Sequence, residues 1–319
     1  MLSRVADALY WLSRYVERAE NTTRLLLVTE DFATETQGLA EDLAQTAWKD
    51  LLAVYPSSQL TRPVSAFAPL SLPYLLAFFL DAGNPYSIHF SLRKARENAR
   101  AVREALTVEA FTAVNETFRA VEAHERKGLH DLPGLRDALN ETHKGLFSLV
   151  GAIASTFTRD EGWLFLRLGE SLERMYRAAL VMRAKLPALL VAAPRPDADL
   201  TLYYTQWRSL LRSLSSFENY RRVCGARLDP GLVVPFLLFD GQSPHSLRAT
   251  AHEVKLSLER LAGPEEPSPP ARLIGTLHAQ LTYERERVVV RGDYLAFLDQ
   301  VLDAVGRTHD AVATQYFAT

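Results

Sequence analysis

Two stretches of this chain, one in each half, place a Glu-Arg pair inside an otherwise apolar helical pattern. The first runs from Tyr10 to Ala19 and the second from Leu166 to Met175, and a shift of 156 residues superposes Glu17-Arg18 on Glu173-Arg174. Adjacent residues of an α-helix point about 100° apart, so the two members of one pair do not face each other. Each charge therefore needs a partner elsewhere in the fold.

Further motifs return in the same order along the chain, which indicates an internal duplication. Trp48 corresponds to Trp207, and the segment from Asp81 to Pro85 corresponds to that from Asp240 to Pro244, both at a shift of 159 residues. A fixed order at nearly constant spacing is typical of a repeated structural unit. We therefore expect the two Glu-Arg helices to be equivalent elements of two related halves.

The spacing of apolar residues predicts an all-α fold. Apolar positions between residues 2 and 26 recur at intervals of three and four, and no Pro or Gly interrupts residues 2–36. This is the period of an amphipathic helix, and no segment alternates like a strand. We predict about ten helices in two tandem, duplicated bundles related by pseudo-twofold symmetry. The halves are residues 1–159 and 160–319, or together they form one intertwined domain.

Proline and small polar residues predict where the helices end. A second helix is expected over residues 40–54, before the proline-rich segment 56–73, which predicts a loop. Another helix is expected over residues 87–106, and Thr107 is a suitable N-cap for the helix that follows.

Composition and charge favour a globular cytoplasmic protein. The chain is 48% hydrophobic and 23% charged, with a net charge of −2, so it has no overall basic field for nucleic acid. Its single cysteine, Cys224, fits a reducing compartment. The longest apolar run, Leu75 to Leu80, is too short to span a bilayer, and the charges of Arg4 and Asp7 argue against a secretory signal. We expect no membrane or nucleic-acid binding.

Motifs for metal, nucleotide and nucleophile chemistry are missing from the sequence. None of the eight histidines has an acidic residue three or four positions before it, as carboxylate-bridged and zinc-binding helices require. There is no glycine-rich phosphate loop and no Gly-x-Ser-x-Gly turn. Cys224 has no accompanying histidine motif. We therefore expect no metal and no cofactor.

The Glu-Arg helices have two interpretations. In one, their charges form an ordinary solvated or interhelical ion-pair stripe, worth little individually. In the other, the two pairs meet at a pseudo-twofold interface as a polar site, where an Arg fork would bind a carboxylate or phosphate. The catalytic candidates are then Glu17, Arg18, Glu173 and Arg174, and the ligand-binding candidates on the first helix are Arg14, Asn21 and Arg24.

The repeated turn supplies a second set of candidates. Asp81 and Asp240 can close Asx turns, and Ser87 and Ser246 can cap the helices that follow. The alternative is an anion-binding site at the N-termini of those two helices. The basic run from Arg93 to Arg103 predicts a solvated face or a docking face, which leaves an oligomer open.

The segments that carry these patterns resemble the bacterial alpha-E family, an all-helical family named for its Glu-Arg signature. They include residues 9–26, the turn and helix over 84–100, residues 165–177 and 207–212, and the second turn over 239–246. The likeness covers nearly the whole chain. Met175-Tyr176 departs from the Ala-Asp or Ala-Glu that the pattern leads us to expect after the second Glu-Arg pair, which favours a one-sided site in the first half.

The resemblance implies a functional setting that the spacing of residues does not. Members of this family are typically encoded beside, or fused to, a circularly permuted ATP-grasp ligase, and often near a transglutaminase-like cysteine peptidase. We therefore expect a helical accessory or binding protein that works with an ATP-grasp amide ligase on a peptide or carboxylate ligand. The alternative is an enzyme acting on peptide or amide bonds, with Glu17 or Glu173 as general base and an Arg holding a carboxylate.

Overall fold

The computed structural model describes residues 1–36, 41–55, 76, 78–129, 131–191, 200–263 and 267–318. Thirteen α-helices have their full span within these residues, and no described residue lies in a strand. The helices are α1 (Ser3–Thr36), α2 (Glu41–Ala53), α3 (Ile88–Ala101), α4 (Val108–Lys127), α5 (Leu132–Thr156), α6 (Glu161–Val191), α7 (Leu200–Ser213), α8 (Phe217–Cys224), α9 (Pro230–Phe239), α10 (Leu247–Ala262), α11 (Pro269–Tyr283), α12 (Arg285–Arg291) and α13 (Tyr294–Val312).

The all-α prediction is confirmed, and the expected helix count of about ten is too low. Short segments that the periodicity could not resolve form helices of their own, among them α8 and α12. Each is followed by a glycine with positive φ, 96° at Gly225 and 66° at Gly292, a conformation that other residues rarely adopt and that ends a helix.

Most of the predicted helix boundaries agree with the structure in the first half of the chain. Helix α1 spans nearly all of the uninterrupted segment, and Thr107 caps α4 by accepting a hydrogen bond of 3.3 Å from the Ala110 amide. The helix expected over 87–106 ends earlier, at Ala101, and a 3₁₀ turn over Arg103–Ala105 follows it. The predicted loop over 56–73 lies outside the described residues.

The chain divides into two compact units. Unit 1 comprises Met1–Glu30, Tyr55–Glu170 and Tyr316–Thr319, and unit 2 comprises Asp31–Val54 and Ser171–Gln315. The divisions fall inside α1 and α6, so each of these long helices gives its N-terminal part to unit 1 and its C-terminal part to unit 2. The duplication over 1–159 and 160–319, and its pseudo-twofold symmetry, stay predictions.

Unit 1 is held together by close helix crossings. Helices α4 and α5 form an antiparallel hairpin, and a Cβ atom on Gly145 of α5 would lie only 2.8 Å from Thr117 Oγ1 of α4. Leu9, Leu12 and Leu25 of α1 are almost completely buried in the same unit. Burial of each such side chain stabilises the fold by about 1.5–3 kcal/mol.

Unit 2 surrounds a helix that is apolar on all sides. Helix α9 carries buried side chains at every position from Val233 to Phe239, and such a helix is stable only in a core. Helices α10, α11 and α12 pack around it, and Ile274 of α11 and Leu298 of α13 are fully buried in the same unit. Within the described residues, no helix is both long enough and apolar enough to cross a lipid bilayer.

Candidate functional site

The polar stripe of α1 is buried. Relative exposure is 7% at Arg14, 4% at Glu17, 2% at Asn21 and 6% at Arg24. The interpretation of this stripe as a solvated face is therefore wrong for α1. Burying a charged group costs a large desolvation free energy unless hydrogen bonds or opposite charges offset it. The stability of this stripe therefore depends on its contacts with other parts of the fold.

Several of these contacts lie within unit 1. Arg14 donates a hydrogen bond of 3.2 Å to the Tyr10 hydroxyl, and its guanidinium carbon lies 4.9 Å from the centre of the Trp11 ring. Arg24 forms an ion pair with Glu20, one helical turn away. A nitrogen of His143 on α5 lies 3.2 Å from the same carboxylate. The buried charges are thus held by π systems and by opposite charges.

The two members of the first signature pair, Glu17 and Arg18, differ in burial. Glu17 points into the protein, whereas Arg18 is half-buried and its guanidinium carbon lies 5.2 Å from the centre of the Tyr15 ring. A guanidinium over an aromatic face is stabilised by the ring quadrupole.

The second signature pair lies in unit 2 and shows the same division. Glu173 is fully buried and accepts a hydrogen bond of 3.0 Å from Arg177 Nε, four residues further on. Arg174 is half-buried. In both copies the glutamate is the buried member and the arginine reaches towards the surface.

Burial also distinguishes these two pairs from the other Glu-Arg dipeptides of the sequence. There are six such dipeptides, beginning at Glu17, Glu125, Glu173, Glu259, Glu284 and Glu286. Glu17 and Glu173 are buried, Glu284 is half-buried, and the remaining three are exposed. The apolar sequence around the two signature pairs thus coincides with burial of their glutamate side chains in the structure.

A small cavity adjoins Glu17 within unit 1. Its volume is about 40 Å³, and α1, α5 and α6 form its walls. The polar lining is Ser13, Glu17, Arg167 and Glu170, and Arg167 donates a hydrogen bond of 2.6 Å to Glu170. Valine, isoleucine, leucine, alanine and tryptophan side chains complete the wall. This Glu17 cavity can hold a few water-sized groups, such as the end of a polar side chain.

The whole chain, including this site, matches a known family. A family model described as Alpha-E, a predicted alpha-helical domain with a conserved ER motif, matches residues 1–317. The chain belongs to the Alpha-E family. That Glu17-Arg18 and Glu173-Arg174 are the residues of this motif stays a prediction.

Relatives of this Alpha-E chain are longer proteins. Uncharacterized proteins of Mycobacterium bovis and of two strains of Mycobacterium tuberculosis are 28% identical to it over 294 residues. The match covers 87% of this chain and 32% of each relative, so the chain spans about a third of the length of these relatives. No solved structure matches the chain.

The repeated turns of this Alpha-E chain serve as helix punctuation. Asp81 Oδ1 accepts a hydrogen bond of 2.8 Å from the Gly83 amide, and Asp240 Oδ1 accepts one of 2.9 Å from the Gln242 amide. Ser87 and Ser246 cap α3 and α10 through their side-chain oxygens. The predicted Asx turns and caps are confirmed.

The arginines near these caps are engaged with the backbone. Arg93 donates to the Ala82 carbonyl at 3.2 Å, and Arg248 donates to the Phe239 carbonyl at 3.4 Å. Each guanidinium thereby ties the start of its helix back to the preceding turn. This arrangement favours the capping interpretation over the anion site.

Other reactive groups in the described part of the chain give no strong site. Among the described residues, no three His, Cys, Asp or Glu side chains come together to hold a metal ion. Burial raises the pKa of the Cys224 thiol, which keeps it protonated and weakly nucleophilic.

A second cavity of about 40 Å³, which sequence reasoning missed, lies in unit 2. Asp50 of α2 and Lys185 of α6 face it. Burial raises the pKa of Asp50 to about 6 and lowers that of Lys185 to about 8, and their mutual attraction partly offsets both shifts. The sequence contained one indication that Lys185 is buried. It lies three residues after Met182 and four before Leu189, on the apolar face of its helix.

Proposed function

We propose that this Alpha-E chain is a helical binding module that works with an ATP-grasp amide or peptide ligase. In this proposal the Glu17 cavity holds the polar end of a peptide substrate or of the partner enzyme. The observation that carries the proposal is the burial of Glu17 at 4% exposure, against a cavity with mostly apolar walls. A buried carboxylate on an apolar wall favours ligand groups that donate a hydrogen bond over groups that cannot.

The charges around the cavity favour an amine or amide end group. Glu17 and Glu170 supply two carboxylates, and among the described lining residues the one cation, Arg167, is hydrogen-bonded to Glu170. Arg18 does not line the cavity and lies against Tyr15 instead. The expected Arg clamp on a ligand carboxylate is thus less favoured here than a donor group directed at Glu17.

The architecture of the relatives supports a module that works with other domains. About two thirds of the length of each mycobacterial relative lies outside its match to this chain. Such an arrangement is expected of a binding module that is fused to further domains in those relatives.

Co-purification tests the partnership and the site together. A tagged ATP-grasp ligase, of the circularly permuted class that the family resemblance implies, is used to capture the wild-type chain and the variants Glu17→Gln and Arg18→Lys, with and without ATP. Glu259→Gln serves as the matched control, because it makes the same change in an exposed Glu-Arg pair. We expect wild type and Glu259→Gln to be captured and Glu17→Gln to be lost.

Two results would count against the proposal. If isothermal titration detects no binding of wild type to the ligase at tens of micromolar in either nucleotide state, the partnership is wrong. If folded Glu17→Gln binds both ligase and peptide substrate as well as wild type does, the Glu17 cavity is not the docking site.

The enzyme alternative keeps one observation in its favour, namely that a cavity adjoins Glu17. A general base must be within reach of the proton that it removes, and Glu17 lines a space that a small amide group could enter. Hydrolysis or transfer on model peptides, with wild type and Glu17→Gln, tests this. Absence of activity in wild type would remove this alternative, and activity that survives in both Glu17→Gln and Glu173→Gln would remove these glutamates as its general base.

A further inference from the structure

Unit 2 contains a lysine whose surroundings differ from those of every other lysine in the sequence. Lys185 of α6 is 6% exposed. The sequence has six lysines, and the other five are exposed or half-buried: Lys49, Lys94, Lys127, Lys144 and Lys255. Lysine is rarely buried without a partner, because its ammonium loses its hydration.

The Lys185 amine lines the second cavity of about 40 Å³, which we call the Lys185 cavity. Phe32, Ala188 and Leu189 supply apolar wall, and Ser209 and Gln206 supply neutral polar groups. Gln206 is half-buried, as is Asp50, so the cavity reaches solvent on that side.

Among the described residues, Asp50 is the group whose charge offsets part of the cost of burying the Lys185 amine. Asp50 acts on it through the electric field, from the same cavity wall. The site therefore combines an amine in apolar surroundings with a carboxyl group on the wall of the same cavity. Lysines with such surroundings lose their proton more easily and act as nucleophiles.

We propose that Lys185 is a nucleophilic amine that forms a reversible imine with a small aldehyde or ketone, and that Asp50 carries the proton. This site is independent of the Glu17 cavity and of the proposed ligase partnership. The volume of the cavity admits only the carbonyl end of a ligand, with the remainder directed towards the half-buried side.

The reaction balances without any further reagent. The neutral amine adds to the carbonyl carbon, and the proton lost from nitrogen is gained by the carbonyl oxygen, which gives a carbinolamine. The Asp50 carboxyl group then donates a proton to the hydroxyl group, water leaves, and the carbon–nitrogen double bond forms as a protonated imine. The Asp50 carboxylate takes a proton back from water when the imine is hydrolysed.

The protonation states of the two residues suit these roles near neutral pH. The pKa of Lys185 is lowered from 10.5 to about 8, chiefly by burial, which raises its neutral fraction at pH 7 by about 300-fold relative to an ordinary lysine. The pKa of Asp50 is raised to about 6, again chiefly by burial, so a part of the population can donate a proton at that pH.

Reductive trapping with acetaldehyde and cyanoborohydride tests the proposal on the wild-type chain. Peptide mapping by mass spectrometry follows the ethylation of all six lysines in one sample at pH 7, and the five less buried lysines serve as internal references. We expect Lys185 to be modified at least about tenfold faster than Lys255. In chain unfolded by guanidinium, all six should react alike.

Two variants distinguish a lysine that is chemically activated from one that the aldehyde merely reaches. Asp50→Asn keeps the shape of the side chain and should slow the trapping of Lys185 by at least about tenfold, as loss of a proton carrier does. Lys255→Arg should leave the rate at Lys185 unchanged. Modification of Lys185 in folded wild type no faster than that of Lys255 would overturn the proposal, and an unchanged rate in Asp50→Asn would refute the role of Asp50.

Discussion

Gly169 of α6 packs directly against the Tyr10 carbonyl group of α1. A Cβ atom on residue 169 would lie under 3.0 Å from the Tyr10 carbonyl oxygen and 3.1 Å from its carbonyl carbon. Ser13 Oγ closes the same space. Within unit 1, the two helices can therefore cross this closely only because residue 169 has no side chain. The crossing lies one turn before Glu17 and beside Glu170, so it sets the width of the Glu17 cavity.

Ser13 and Gly169 are also equivalent positions in the predicted repeat, since Gly169 lies 156 residues after Ser13. Residues near a twofold axis contact their own equivalents. The symmetry itself stays a prediction.

We predict that Gly169→Ala lowers the free energy of unfolding by about 2–3 kcal/mol, because the new methyl group meets backbone atoms that cannot move aside. Gly151→Ala is the matched control, since a Cβ atom there meets nothing within 4 Å on the same type of helix. The control should gain about 0.5–1 kcal/mol from helix propensity. Urea unfolding of both variants measures the difference, and equal stability would show that the crossing can relax.

The buried ion pair of Glu20 and Arg24 should matter far more than an exposed pair of the same spacing. We predict that Arg24→Met costs about 3–5 kcal/mol, because it leaves the Glu20 carboxylate buried beside His143 without its cation. Arg307→Met removes the cation from Asp303 in an exposed pair and should cost at most about 0.5 kcal/mol. Chemical denaturation compares the two, and similar losses would contradict the importance of burial.

Stability should depend on pH through Lys185. Because its pKa is about 8 in the folded chain, against the ordinary lysine value of 10.5 after unfolding, the unfolded chain binds more protons between these values. Stability contributed by this residue therefore rises with pH from about 8 to 10.5, by about 3 kcal/mol in total. Below pH 8 the cost of burying the ammonium group is fully present.

The measurement for this prediction is a difference, since tyrosines also titrate at high pH. The free energy of unfolding of wild type, relative to Lys185→Met, should increase across that pH window. Between pH about 4 and 6 the raised pKa of Asp50 acts in the opposite direction, and stability falls as its carboxyl group ionises. A constant difference between the two proteins from pH 7 to 10.5 would contradict the buried state of Lys185.

The two helix caps should contribute equally. Ser87 accepts a hydrogen bond of 2.9 Å from the Phe90 amide, and Ser246 accepts one of 3.1 Å from the Ala249 amide. We predict a loss of about 1 kcal/mol for Ser87→Ala and for Ser246→Ala, and an additive loss in the double variant. Thermal unfolding of the three variants provides the test. A much larger loss in one half would show that its serine does more than cap a helix.

Local patterns in the sequence were sufficient for most of the long helices and for the serine and threonine caps. Helix α1 follows from apolar spacing with no Pro or Gly, and the caps at Ser87, Thr107 and Ser246 follow from short-range geometry that needs only neighbouring residues. Local patterns were less informative about α8 and α12, whose few residues carry too little periodicity to separate them from their neighbours.

The candidate site was visible in the sequence only in part. The odd charges of the Glu17 and Glu173 helices were recognisable because they interrupt an apolar pattern, and burial separates them from four other Glu-Arg pairs. Lys185 also interrupts an apolar face, but a single lysine at a helix flank usually reaches water with its long side chain. Its burial depends on α2 and α7, which the pattern of α6 does not describe.

The sequence by itself determined the helical class, most ends of the long helices, the turn chemistry and the membership of the Alpha-E family, because these depend on local spacing and on residue type. The tertiary structure alone decided which charges leave water, where Gly169 lets two helices meet, and which side chains face a cavity. Those outcomes are set by contacts between residues far apart in the chain, and desolvation depends on the sum of all such contacts.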